Sequence, residues 1–219
     1  MRIDSGSSSP AVVWDLDGTL IDSAGDIAAA MDRALAAFGL PPLGEARVRT
    51  FVGDGARALV QRCVEAVGGA FTEALHDRFL GEYRAHLVER THVHPAALRE
   101  LLPRIVAPMA VVTNKPILHT REILDTLGLG PHFGAVLGGD SLPRRKPDPA
   151  PIQEAMRLLG VTGAVMVGDG PQDVVAGQSA GLPVIGVAWG IHAPSGADVL
   201  VQDVLELEIA LHRAGVAFR

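Results

Sequence analysis

The sequence predicts an α/β protein in which a doubly wound parallel sheet carries an inserted α-helical domain. Three observations predict this fold: short apolar runs recur along the chain, helical patterns separate the later runs, and a long helical stretch follows the first run. Strands that alternate with helices are typical of a parallel sheet whose connections are helical crossovers.

The strands are predicted by five short runs of apolar and β-branched residues. In order they are "AVVWDLD" (11–17), "MAVVTN" (109–114), "GAVLGGD" (134–140), "AVMVGD" (164–169) and "PVIGVAW" (183–189). Continuous apolar runs of this length are expected of strands that are covered on both faces.

Helical patterns separate the later strands. "ILHTREILDTLG" and "PIQEAMRLLG" carry apolar residues at helical spacing, and the second is opened by prolines and closed by Gly160.

The connection from the first strand to the second is too long for an ordinary crossover. It spans about ninety residues, where roughly a dozen suffice. Apolar residues within it recur on three helical faces: Ile27, Met31, Leu35 and Phe38; Leu59, Cys63 and Val67; Leu75, Phe79, Tyr83 and Leu87. We therefore expect a helical domain over residues 22–90, called the insertion below, and a sheet domain formed by residues 1–21 and 91–219.

Two carboxylates follow the first predicted strand, at the edge of a parallel sheet where ligands bind. Gly18 allows the chain to turn there and to bring Asp15 and Asp17 to one crevice. Two such close acids repel each other unless a cation lies between them or one of them holds a proton, and a divalent cation is the simplest explanation. The alternative is that they merely cap a loop.

The string DxDGT in "WDLDGTLIDS" is the signature of the haloacid dehalogenase superfamily, which this sequence resembles over nearly its full length. Three further motifs follow in the family's order. Thr113-Asn114 resembles the second motif, Lys146 in "RRKPDP" the third, and "VGDGPQDVVAG" the acidic fourth. The insertion resembles the family's helical cap, and the sheet resembles its Rossmann-like core.

The resemblance implies catalytic roles for the motif residues. Asp15 would attack phosphorus as an anionic nucleophile and form an aspartyl-phosphate, and Asp17 would act as general acid and base. Thr113, Asn114 and Lys146 would bind and orient the phosphoryl oxygens.

The resemblance also implies a magnesium ion as cofactor. Asp15, the backbone carbonyl of Asp17, and Asp169 would hold Mg²⁺, with Asp173 supporting them. Oxygen ligands of this kind suit a hard cation.

The tetrapeptide VGDG occurs twice, and the two copies have unlike surroundings. Asp169 belongs to the copy that ends a strand, with Asp173 placed at the entrance of the next helix. The other copy, Gly53-Asp54-Gly55, lies in the insertion, where the phosphoglycolate phosphatase branch of the family has a similar VGxG that faces the substrate. We expect these residues and Arg57 to bind substrate; the alternative is a plain turn and a solvated arginine.

Only Lys115 and Lys146 are lysines among 19 basic residues, and both fall beside the expected phosphate site. A compact ammonium group fits where a guanidinium fork would not. For Lys115 a surface turn in "TNKP" is the alternative.

Composition excludes several classes of protein. A net charge of −6 and an aromatic content of 4% disfavour nucleic-acid binding, and no apolar run is long enough to span a membrane. The single cysteine excludes an internal disulfide and suits a reducing compartment. Residues 1–10 lack the apolar segment of a signal peptide, so we expect a loose tail and a cytoplasmic protein.

Within the family the sequence favours a phosphomonoesterase. Asp17 argues against a dehalogenase, and the absence of lysine before Lys115 argues against phosphonoacetaldehyde hydrolase and β-phosphoglucomutase. "DGTLIDS", "VGDGA", "VVTNKP" and "KPDPAP" together most resemble phosphoglycolate phosphatase. Gly170 and "HVHPAAL" depart from that branch, which leaves phosphatases of sugar phosphates, amino-sugar phosphates or pyrophosphate as alternatives. An inactive, metal-binding interaction protein is the non-enzymatic alternative.

Overall fold

The computed structural model describes residues 9–219 and confirms the predicted α/β class. Residues 1–8, and with them most of the predicted tail, lie outside the described residues. The main sheet has six parallel strands in the order β5-β4-β1-β6-β7-β8. In chain order the strands are β1 (Ala11–Trp14), β2 (Ile21–Asp22), β3 (His92–Val93), β4 (Met109–Val112), β5 (Ala135–Leu137), β6 (Ala164–Gly168), β7 (Val184–Val187) and β8 (Val199–Val201).

Nine α-helices accompany these strands within residues 9–219. They are α1 (Ala24–Ala37), α2 (Glu45–Arg49), α3 (Ala56–Ala66), α4 (Glu73–Ala85), α5 (Leu98–Leu101), α6 (Ile117–Thr126), α7 (Ala150–Leu159), α8 (Pro171–Ser179) and α9 (Val204–Arg213). None of these helices is long and apolar enough to cross a membrane.

Successive side chains of each strand point to opposite faces of the main sheet, and both faces are covered. Val12 and Trp14 of β1 pack into a large apolar cluster that also contains buried residues of α6 and α9. Ala11 and Val13 pack into a second cluster with residues of α7 and α8. Burial on both faces explains why these strands appear in the sequence as uninterrupted apolar runs.

Helices α1 to α4 all fall within residues 22–90, the predicted insertion. The residues of its three expected helical faces are buried, apart from Phe38, which is 44% exposed at the end of α1, and Val67, which is partly buried. The chain leaves the sheet region along β2 and returns along β3, and these two short strands pair antiparallel with Ile21 opposite Val93. The division into domains of 1–21 plus 91–219 and 22–90 remains a prediction.

The strand order places a ligand crevice beside β1. The chain adds β4 and β5 on one side of β1 and then β6, β7 and β8 on the other. Ligands of open α/β sheets bind at the carboxyl ends of the strands where this reversal occurs. The residues that follow β1, β4 and β6 therefore surround one crevice.

Helix α6 offers a direct test of the packing on one face of the main sheet. Leu124 is 1% exposed and Leu118 is 47% exposed on the same helix. We expect Leu124→Ala to lower the free energy of unfolding by about 2–5 kcal/mol, because it leaves a cavity in the core. Leu118→Ala should change it by less than about 0.5 kcal/mol. Urea unfolding followed by circular dichroism measures both values, and equal losses would contradict the described packing.

Candidate active site

Three buried carboxylates meet at the carboxyl ends of β1 and β6. Asp15, Asp169 and Asp173 each offer an oxygen, and these oxygens lie within 4.8 Å of one another. The Lys146 ammonium group donates hydrogen bonds to Asp15 Oδ1 at 2.7 Å and to Asp173 Oδ1 at 2.6 Å. We call these four residues the acid cluster.

All four members of the acid cluster have a raised pKa. Burial and the neighbouring Asp173 raise the pKa of Asp15 to about 7, and burial and Asp15 raise that of Asp169 to about 6. Burial likewise raises the pKa of Asp173. Burial opposes the charge of Lys146, but Asp15 and Asp173 together raise its pKa.

The donor set of the acid cluster fits a divalent metal ion. Three carboxylates this close disfavour one another's ionised forms, and a bound cation relieves that repulsion. Carboxylate oxygens are the ligands that hard divalent cations prefer. Asp15, Asp169 and Asp173 are therefore the residues that could hold one.

Close backbone packing positions Asp169. Its Oδ2 accepts hydrogen bonds from the backbone N–H groups of Ile191 at 2.7 Å and His192 at 3.1 Å. A Cβ atom at Gly18, which has φ +89°, would lie 2.4 Å from the same oxygen, and one at Gly190 would lie 2.2 Å from the Asp169 Cβ. Glycine is thus required at both positions for the carboxylate to reach the crevice.

Asp17 makes its side-chain hydrogen bonds outside the acid cluster. Its carboxylate accepts hydrogen bonds from Lys115 Nζ at 2.8 and 2.9 Å and a further one from the Ser23 hydroxyl. Lys115 is only 6% exposed, so the alternative of a surface turn is wrong for its side chain. Whether the Asp17 main-chain carbonyl binds metal stays a prediction.

The residues after β4 connect three parts of the site. Asn114 Nδ2 donates hydrogen bonds to the backbone carbonyls of Gly53 and Lys146, both at 3.0 Å. Thr113 is buried, and its Oγ1 accepts a hydrogen bond from the Lys115 N–H at 3.2 Å. The structure thus brings both threonine and asparagine to the crevice, as the second motif predicts.

A cavity lies between the insertion and the carboxyl ends of β1 and β4. Asp15, Asp17, Thr113, Asn114 and Lys115 form its floor. Its roof is contributed by the insertion and is mostly apolar: Ile27, Val52, Gly53, Gly55, Ala56, Leu59, Phe79, Leu80 and Tyr83. Such a roof excludes water from whatever the floor binds.

The first VGDG copy contributes its backbone to this cavity. Gly53 and Gly55 line it, whereas the Asp54 carboxylate forms an ion pair with Arg62. Arg57 forms two hydrogen bonds with Glu73, at 2.6 and 2.9 Å, on the exposed face of the insertion. Substrate contacts of Asp54 and Arg57 stay predictions, and their present partners do not favour them.

Sequence patterns missed several residues of the site. His192 Nε2 lies 2.6 Å from the Val52 carbonyl, and its backbone N–H supports Asp169. Tyr83 and His119 line the cavity, and burial lowers the pKa of His119 to about 4. The sequence signals were the position of His119 four residues after Lys115 and of Tyr83 on the buried face of α4.

Known proteins resemble this chain closely. A family model described as haloacid dehalogenase-like hydrolase matches residues 12–187. Phosphoglycolate phosphatase 1 of Pseudomonas aeruginosa is 40% identical over 192 residues, which cover 83% of this chain and 70% of that protein. The phosphoglycolate phosphatase of Chromobacterium violaceum is 37% identical over 90% of this chain and 94% of its own length. The solved structure of a predicted phosphoglycolate phosphatase from Haemophilus somnus superposes with a TM-score of 0.84 at 31% identity, covering 94% of this chain and 100% of that chain.

The raised pKa values predict pH-dependent metal binding. Asp15 and Asp169 have pKa values of about 7 and 6, so both are largely protonated at pH 5 and largely ionised at pH 8. Only the ionised forms bind a cation. We expect saturating Mg²⁺ to raise the Tm by about 4–8 °C at pH 8 and by less than about 2 °C at pH 5. Thermal unfolding of wild type and Asp169→Asn measures this; the variant should lose the shift, and equal shifts at both pH values would contradict the assignment.

Gly18→Ala tests the close approach to Asp169. The new methyl group would meet the Asp169 carboxylate, so we expect the Mg²⁺-dependent rise in Tm to disappear. Gly128→Ala is the matched control, because Gly128 has φ +71° but nothing within 4 Å of the new atom. That variant should lose about 1 kcal/mol of stability from backbone strain and keep its response to Mg²⁺. An unchanged Mg²⁺ response in Gly18→Ala would refute the steric argument.

Proposed function

The chain belongs to the haloacid dehalogenase-like hydrolase family, and we propose 2-phosphoglycolate as the phosphomonoester that it hydrolyses. The observation that carries the proposal is Asp15, which lies on the floor of a cavity roofed by the insertion and is paired with the buried Lys146. A nucleophilic carboxylate beside a cation suits attack on an anionic phosphoryl group. Relatives named phosphoglycolate phosphatase, about 40% identical to this chain, support the substrate.

Asp15 is the proposed nucleophile. One oxygen of its carboxylate attacks phosphorus, the bond from phosphorus to the ester oxygen breaks, and an aspartyl-phosphate forms. Lys146 lies 2.7 Å from Asp15 and supplies positive charge to the phosphoryl oxygens, and Thr113 and Asn114 complete their binding site. Positioning and charge are the main sources of catalysis in phosphoryl transfer.

Asp17 is the proposed general acid and base. It gives a proton to the departing glycolate oxygen, then takes a proton from the water that attacks the aspartyl-phosphate and releases phosphate. Ser23 and Lys115 hold its carboxylate in one orientation. The proton therefore leaves and returns at a fixed position on the cavity floor.

Magnesium is the proposed cofactor, held by Asp15 and Asp169 with Asp173 supporting them. When bound, it would neutralise the charge that develops on the phosphoryl group. The acid cluster supports a divalent cation in general, and Mg²⁺ is proposed because it is typical of phosphoryl-transfer sites.

We also propose a cytoplasmic location and a small phosphorylated metabolite as partner. The buried Cys63 is the single cysteine of the chain, which suits a reducing compartment. The acidic net charge of −6 supports neither a nucleic-acid partner nor an anionic membrane.

The substrate is tested by hydrolysis of a panel of phosphoesters with Mg²⁺: 2-phosphoglycolate, sugar phosphates, amino-sugar phosphates, pyrophosphate and p-nitrophenyl phosphate. The highest kcat/KM is expected for 2-phosphoglycolate. A sugar phosphate or pyrophosphate in first place would favour the corresponding alternative. No hydrolysis of any compound would favour the inactive, metal-binding protein.

Asp15→Asn should abolish turnover while preserving the fold, because it removes the nucleophile and not one contact among many. We expect kcat to fall by on the order of 10⁴-fold or more for every substrate. Asp77→Asn, at an exposed position of α4, is the control and should retain wild-type activity. Near-normal turnover by folded Asp15→Asn would mean that another residue is the nucleophile.

A further inference from the structure

One end of the cavity carries three polar side chains that the proposed hydrolytic step does not use. They are Lys115, Tyr83 and His119, which are 6%, 2% and 5% exposed. Two of them come from different parts of the chain, since Tyr83 belongs to α4 of the insertion and His119 to α6 of the sheet region.

Lys115 is the only positively charged residue lining this cavity in the described part of the chain. Its Nζ atom lies 2.8 Å from Asp17 Oδ1 and 4.9 Å from the centre of the Tyr83 ring. An ammonium group has three donors, so Asp17 does not exhaust its capacity. Arg57 and Arg62 form ion pairs with Glu73 and Asp54, and neither arginine lines the cavity.

Three residues that line the cavity each have a buried polar atom with no hydrogen-bond partner among the described residues. The atoms are the Tyr83 hydroxyl, His119 Nδ1 and Asn114 Oδ1, and the last of these can only accept. The two rings meet edge to face, with centres 5.4 Å apart. Buried polar groups in proteins are almost always paired, so the Tyr83 hydroxyl and the His119 ring nitrogen are available to a ligand that enters the cavity.

We propose that Lys115, Tyr83 and His119 form a subsite for the carboxylate of the substrate's leaving group, which makes Lys115 the main specificity determinant. This inference rests on the proposed function. A carboxylate accepts hydrogen bonds only, and an ammonium, a phenol and an imidazole N–H can all donate to it. The apolar residues Phe79 and Leu80 beside them strengthen such charge-assisted bonds.

The short length of 2-phosphoglycolate requires the cation that binds its carboxylate to lie close to Asp17, as Lys115 does. In 2-phosphoglycolate a single methylene group separates the ester oxygen from the carboxylate. The cation that binds the carboxylate must therefore lie next to the acid that protonates the ester oxygen. Lys115 contacts Asp17 directly, whereas Arg57 is exposed and paired with Glu73.

The experiment compares two substrates in three variants. The substrates are 2-phosphoglycolate and 2-hydroxyethyl phosphate, in which a hydroxymethyl group replaces the carboxylate. Lys115→Met removes the charge, Tyr83→Phe removes only the hydroxyl, and Arg157→Met on the exposed side of α7 is the control.

We expect Lys115→Met to lower kcat/KM for 2-phosphoglycolate at least about 30-fold more than for 2-hydroxyethyl phosphate, as loss of a charged hydrogen bond implies. Tyr83→Phe should raise KM for 2-phosphoglycolate about 3–10-fold more than KM for 2-hydroxyethyl phosphate. Glycolate, as a competitive inhibitor, should bind Lys115→Met more weakly by a similar factor. Arg157→Met should match wild type throughout.

Equal losses for both substrates in Lys115→Met, with unchanged glycolate inhibition, would overturn the subsite and reduce Lys115 to a residue that positions Asp17. If Lys115→Met does not fold, Tyr83→Phe decides: equal KM values in wild type and variant overturn the subsite. A wild-type enzyme that hydrolyses 2-hydroxyethyl phosphate but not 2-phosphoglycolate would overturn the proposed function as well, so the two failures are distinguishable.

Discussion

The structure depends above all on the burial of three carboxylates around one ammonium group. Asp15, Asp169 and Asp173 repel one another, and Lys146 offsets only part of the cost of removing them from water. Their raised pKa values express the remaining cost. A fold that retains such an arrangement sacrifices stability for a site ready to receive a cation and a phosphoryl group. The strand order makes the arrangement possible, because it places the ends of β1 and β6 side by side at the reversal point of the sheet.

The insertion is attached to this centre by backbone carbonyls. Gly53 accepts a hydrogen bond from Asn114, and the Val52 carbonyl lies within hydrogen-bond distance of His192. His192 in turn donates its backbone N–H to Asp169, so a single residue links the insertion to the acid cluster. His192 therefore joins the roof of the cavity to Asp169, one of the proposed metal ligands. Close packing at this connection gives the first VGDG copy a structural reason for its glycines. A Cβ atom at Gly53 would lie 3.0 Å from His192, and one at Gly55 would lie 3.1 Å from the Asn114 carbonyl.

Sequence patterns predicted the sheet, the helical insertion and the position of the motif residues, because apolar periodicity and strand-end acids are local signals. They missed β8, whose three residues are mostly exposed at the edge of the sheet. They also missed β2 and β3, which have two residues each. The partners of Lys115 were also missed, because Asp17 is 98 positions away and only the packed fold brings the two together. Similarly, "VGDGAR" does not reveal which way its side chains point: α3 begins directly after Gly55 and directs Arg57 toward Glu73.

The central claim is that Asp15, Asp169 and Lys146 form one phosphoryl-transfer centre under the insertion. A crystal structure with Mg²⁺ and beryllium trifluoride, which mimics a phosphoryl group on a carboxylate, tests it most directly. We expect Mg²⁺ at about 2.0–2.1 Å from oxygens of Asp15 and Asp169, and beryllium bonded to the remaining Asp15 oxygen with its fluorides beside Lys146. A metal ion bound away from these carboxylates, or beryllium trifluoride on any residue other than Asp15, would contradict the claim.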